Sequence, residues 1–133
     1  MVAETLVDGV LVVWCAKSYR NESVVVGWYH NATVFREYQE LNLNDKDNYY
    51  GAVYNVVAKT SDCVLLPEGE RNRFIWAAAR ARKKGRSYGF GQANVWYARE
   101  ASAAQYIQRL VTNINEYKGD NWVYKDSKSD VYP

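Results

Sequence analysis

Val10–Ala16 (VLVVWCA) is an unbroken run of β-branched and apolar residues. Such a run reads as a strand. A period of two puts Val10, Val12 and Trp14 on one face and Leu11, Val13 and Cys15 on the other. Both faces are apolar, so the strand has to be covered on both sides and is expected at the centre of a sheet. Ser23–Tyr29 (SVVVGWY) follows as a second strand after the polar turn Lys17–Glu22, with Val24, Val26 and Trp28 on one face. Gly27 in its interior marks a bulge or a close approach of another backbone. His30-Asn31 reads as a two-residue hairpin turn, because Asn tolerates positive φ. Ala32–Glu37 then returns as a third strand. Val53–Lys59, Cys63–Leu66 and Asn94–Ala98 are expected as further short strands.

Helical signals are confined to the C-terminal third. Ser102–Lys118 has Ala103, Ile107, Leu110, Ile114 and Tyr117 at helical spacing. Ser102 with Gln105 forms a capping-box pattern, and Gly119 stands where a C′ residue belongs. The apolar stripe predicts a helix packed on the sheet. Arg71–Ala81 contains good helix formers without helical periodicity, and an extended segment is expected there. NWVYK, from Asn121, suggests one more short strand within a partly frayed tail over residues 121–133. With 133 residues, the expectation is one α+β domain, 1–133. Its architecture is a small, strongly bent sheet or small β-barrel closed by a C-terminal helix.

The functional signal lies between these elements. Gly85–Ala98 (GRSYGFGQANVWYA) places three glycines, two carboxamides and four aromatic residues on one connection. Arg80–Arg86 (RARKKGR) leads into it with five cations and no acid; the other 12 of the chain's 17 cations face 15 acids. The positive charge is therefore local. Arg80, Arg82, Lys83, Lys84 and Arg86 are candidate phosphate-binding residues. Glycines let phosphate oxygens reach backbone N–H groups, aromatic rings stack bases, and Gln92 and Asn94 offer a donor and an acceptor on one plane. The chain also carries 5 Trp and 12 Tyr, more than a core of this size buries. Trp76 and Trp122 read as structural.

Other chemistries find little support. A single histidine, His30, and two scattered cysteines, Cys15 and Cys63, do not make an ordinary zinc site. The cysteines sit in apolar runs and read as thiols rather than as a disulfide. The stretch NLNDKDN lacks the central Gly and distal Glu of a calcium loop. Gly89 and Gly91 do not follow a strand into a helix, so a dinucleotide fold is rejected. No nucleophile motif is present, and no cofactor, metal or catalytic residue is expected. The amino-terminal residues have no basic n-region, and no apolar run reaches membrane-spanning length, so a cytoplasmic location is expected. Two N-x-[ST] sequons, at Asn21 and Asn31, then read as chance matches.

VLVVWCA, VVVGWYHNATVFRE and GFGQANVWYA, at Val10–Glu37 and Gly89–Ala98, resemble segments of the EVE/YTH-like branch of the PUA superfamily. That resemblance covers about half the chain. It implies a PUA-like β-barrel holding a modified or flipped base in an aromatic cage, here Trp14, Trp28, Tyr29 and Trp96. It also implies Asn31 and Asn94 as readers of a base edge. Some members of that branch are attached to modification-dependent HNH-type endonucleases, which brings a restriction system and a nuclease partner into view. Related chains carry a longer segment before the first strand, so this one is expected to be a shortened form. The expected function is nucleic-acid binding through a base-recognition pocket beside a basic loop, with DNA as the first partner and RNA as the second. The alternative is a protein–protein interaction domain with an aromatic hot-spot surface.

Overall fold

In the computed structural model the described residues are 6–18, 20–40, 53–80, 88–89 and 95–127. They form an α+β fold. Four strands, β1 (Leu6–Lys17), β2 (Ser23–Glu40), β3 (Val53–Val57) and β4 (Cys63–Leu65), make an open antiparallel sheet, and the helix α1 (Ala104–Glu116) follows them. The central place belongs to β2, which lies between β1 and β3 and also pairs with β4. This corrects the expectation for β1. Apolar pattern alone does not choose the centre: β2 has 18 residues and buries Val25, Trp28 and Ala32, whereas every β1 residue keeps some exposure.

The expected hairpin at His30-Asn31 is also corrected. β2 runs through it without reversing. Asn31 does adopt positive φ, at 51°, but as a single left-handed residue inside a strand. The asparagine signal is real; its use is local irregularity rather than chain reversal. The true reversal lies between β1 and β2. There Asn21 N–H donates to Ser18 O (2.8 Å), Ser18 N–H donates to Glu22 O (2.7 Å), and Asn21 has φ 62°.

The chain divides into two compact units, Met1–Val13 with Trp28–Val64, and Trp14–Gly27 with Leu65–Pro133. In the first, β2 and β3 pair antiparallel through Thr33↔Val57, Val34↔Val56, Gln39↔Tyr54 and Glu40↔Val53, with an irregularity between Val34 and Gln39. Phe35 and Tyr54 meet edge to face at 6.0 Å. Thr33 donates its hydroxyl to Asp8 Oδ1 (2.6 Å). Trp28, Ala32 and Cys63 are the buried residues among those described here.

In the second unit, the segment after β4 makes two 3-10 turns, Glu70–Asn72 and Phe74–Trp76, before Ala77 bridges Val24 and Ala78 N–H donates to Ser23 O (3.0 Å). The extended reading of Arg71–Ala81 thus holds only from Ala77. Before it, contiguous apolar residues serve short turns that point alternate side chains in and out: Trp76 is 0% exposed and Phe74 85%. Helix α1 packs on the Phe74–Trp76 turn through a stripe that buries Ala103, Leu110 and Ile114. Its start and end differ from the sequence pattern. A 3-10 turn, Ala101–Ala103, precedes it, and no side-chain cap forms at either turn's start. Gly119 does not take positive φ. A Cβ there would lie 2.6 Å from the Tyr117 hydroxyl, so the glycine makes room for the Tyr117 ring, which donates to Asp120 O. The expected strand at NWVYK is a 3-10 helix, Trp122–Ser127, tied to β4 by Asn121 Oδ1, which accepts from Leu65 N–H (2.9 Å). The expected strand at Asn94–Ala98 is corrected as well: residues 95–98 have no regular secondary structure, and Ala98 has φ 56°. Among the described residues no helix is long and apolar enough to cross a membrane.

Candidate functional site

Three half-buried aromatic residues meet in the second unit. Tyr88 and Trp96 are stacked, 6.4 Å between ring centroids and 19° between planes. Tyr106, from the first turn of α1, closes the triangle at 5.9 Å from Tyr88 and 6.1 Å from Trp96. The cluster is held by polar bonds. Trp96 Nε1–H donates to both oxygens of Glu100 at 3.0 Å. The Tyr106 hydroxyl donates to Ala77 O (3.2 Å) and accepts from Ala79 N–H (3.3 Å). One phenol therefore satisfies both backbone groups of an extended segment and fixes that segment to the helix.

Tyr88 is set by its neighbour. Gly89 has φ 117°, and a Cβ there would come within 2.6 Å of the Ala79 carbonyl carbon and oxygen. Only glycine permits that approach. The expectation that this glycine opens space for a phosphate is corrected at Gly89, since the space is filled by protein backbone.

Tyr88 and Tyr106 line a cleft of about 450 Å³ together with Phe74, Ile75, Gln108, Arg109 and others. It combines aromatic and aliphatic walls with carboxamide, hydroxyl and guanidinium groups, the composition of a site for a flat, polar-edged ligand. Phe74 and Ala77 also line a second cleft, of about 360 Å³. Its other walls carry Arg20, Arg71, Arg73 and Arg80, with Glu22 as the one carboxylate among the described lining residues. Arg73 pairs with Glu70 at 3.0 Å, and Arg71 Nε–H donates to Leu66 O at 2.9 Å.

The residues singled out from sequence separate into distinct places. Trp96 and Arg80 belong to the second unit: Arg80 lines the second cleft, and Trp96 stacks on Tyr88 without itself lining either cleft. Trp14, on β1, belongs to the same unit and is 41% exposed. Trp28, Tyr29 and Asn31 belong to the first unit. Trp28 is 1% exposed, so it packs in the interior and offers no ring face to a base; as a wall of the aromatic cage it is corrected. Tyr29 is half-buried, and burial, then the Cys63 thiol, pushes its hydroxyl pKa up. Asn31 is exposed and borders a hollow of about 510 Å³ with Thr33, Val57, Ala58, Lys59 and Asp62. Arg82, Lys83, Lys84, Arg86, Gln92 and Asn94 lie outside the described residues.

Sequence reasoning missed Phe74, Tyr106, Arg20, Arg71 and Arg73. Tyr106 was legible in principle, being three residues after Ala103 and four before Leu110, on the border of the buried stripe. The three arginines come from two segments far apart in sequence, which the bridge between Val24 and Ala77 and the bond from Ala78 N–H to Ser23 O bring together. Neither Cys15 nor Cys63 is in a disulfide. Burial pushes the Cys15 thiol up to about 11, and burial, then the Asp62 charge, raises Cys63. Among the described residues no group of three or more His, Cys, Asp or Glu side chains is placed to hold a metal. No family model, curated protein or solved structure matches the chain.

Proposed function

We propose that the chain is a nucleic-acid-binding module that receives a base in the aromatic cleft of the second unit. The observation that supports this most is the pair of rings Tyr88 and Tyr106 in the wall of a polar-edged cleft, with Trp96 in contact with both, in a chain whose concentrated positive charge begins at Arg80. Ring faces supply sequence-tolerant stacking. Gln108, Thr112 and Asn113 in the cleft lining supply donors and acceptors for a base edge, and Gln92 and Asn94 remain proposed readers beside them. Kinship with the EVE/YTH-like branch, a PUA-like barrel built around the four strands, recognition of a modified or extruded base, a nuclease partner and a cytoplasmic setting belong to the same proposal.

The test is a binding screen by fluorescence anisotropy over DNA and RNA oligonucleotides, single- and double-stranded, with and without modified bases. Trp96→Ala is expected to weaken every ligand the wild type binds, by about 1–3 kcal/mol. A wild-type protein that binds no oligonucleotide but is retained on an acidic protein surface contradicts the proposal and favours the protein-interaction reading.

A further inference from the structure

Resting on that reading, we infer that the cleft lined by Arg20, Arg71, Arg73 and Arg80 is the phosphate track of a single-stranded nucleic acid, and that Phe74 is the platform on which a base of that strand stacks. The four arginines come from the β1–β2 turn, the Glu70–Asn72 region and the segment after Ala77, and among the described residues one carboxylate, Glu22, shares their cleft. A concave wall with so unequal a charge concentrates anions. Guanidinium groups match phosphate oxygens in bidentate geometry. Arg71 donates one N–H to Leu66 O, which uses one of its five donors and orients the fork without removing its charge. Arg73 is partly offset by Glu70.

Phe74 supplies the second, independent observation. It shares a 3-10 turn with Trp76, yet Trp76 is 0% exposed and Phe74 85%. The turn has an interior place for one ring and holds the other outward. Phe74 also borders both clefts. A strand with its phosphates among the arginines therefore has a ring face beside it and the Tyr88–Tyr106 cleft beyond. Bases in a duplex are paired and stacked and cannot lie on that ring without unpairing. The arrangement thus selects single strands.

The experiment compares wild type, Arg20→Ala, Arg20→Ala/Arg80→Ala and Phe74→Ala. Each is titrated with a labelled oligothymidine strand and with a matched duplex at several salt concentrations, and thermal unfolding checks that each is folded. Wild type is expected to prefer the single strand. The slope of log K against log salt is expected to fall by about 0.7 per arginine removed. Phe74→Ala is expected to lose about tenfold in single-strand affinity, with its slope and its duplex affinity unchanged. Arg20 lies in an exposed turn, so the single variant stays informative if the double variant does not fold. An unchanged slope in a folded arginine variant, unchanged single-strand affinity in Phe74→Ala, or a duplex preference overturns the inference while leaving nucleic-acid binding in place. A wild type that binds no oligonucleotide overturns both.

Discussion

Phe74 and Trp76 stand two residues apart in one 3-10 turn and do opposite things. Around Trp76 the molecule is closed: the indole is fully buried, donates to Glu70 Oε2 at 2.7 Å and meets Tyr117 edge to face at 6.0 Å. Around Phe74 it is open, with a cleft on either side. Glu70 links the regions, since the carboxylate that accepts from Trp76 also pairs with Arg73 of the arginine cleft. The difference teaches that aromatic surplus in a sequence is not one signal. A ring buried on every side belongs to the fold, and a ring held out beside unequal charge is available to a ligand.

The largest expected effect breaks the closed region. Trp76→Ala is expected to cost about 3–5 kcal/mol of folding stability, read as a lowered denaturant midpoint, whereas Phe74→Ala is expected to change it by less than about 0.5 kcal/mol. Equal losses in the two variants would erase the distinction between the regions. Gly89→Ala comes next, at about 3 kcal/mol. It forces a Cβ into the Ala79 backbone and a side chain onto φ 117°. Because Gly89 fixes Tyr88, this variant is expected to weaken oligonucleotide binding even under conditions where it remains folded.

A further effect concerns pH. Cys15 is raised from 9.0 to about 11 by burial. A thiol with a raised native pKa gives stability that is present below pH 9 and lost as pH rises toward 11, because the unfolded chain loses its proton first. That loss is roughly 3 kcal/mol. Denaturant midpoints of wild type and Cys15→Ala at rising pH are expected to converge across that window. Parallel curves would show that the thiol is not desolvated by packing.

The comparison also explains what was legible in the sequence. Strand positions were readable because β-branched runs state their own conformation; Val10–Ala16, Val53–Lys59 and Cys63–Leu66 all lie on or against observed strands. The helix was readable from its stripe. Sheet order was not, since both β1 and β2 are apolar on two faces and their lengths depend on whether Asn31 ends a strand or merely interrupts it. Trp28 and Trp96 looked alike as members of a proposed cage, and burial separates them: Trp28 lies in the interior, while Trp96 is half-buried and stacks on Tyr88. The arginine cleft was illegible for a different reason. Its members are scattered from Arg20 to Arg80, and local charge counting finds only the contiguous run.

The most direct test is photo-crosslinking of a single-stranded oligonucleotide carrying a photoreactive base, with the attachment sites located by mass spectrometry. The expected result is attachment at Phe74 and at Tyr88, Trp96 or Tyr106, suppressed by Phe74→Ala at the first site and by raised salt at all of them. Attachment confined to β1, β2 and β3 residues of the first unit, or none at an oligonucleotide concentration that saturates the protein, would contradict a base site in the aromatic cleft.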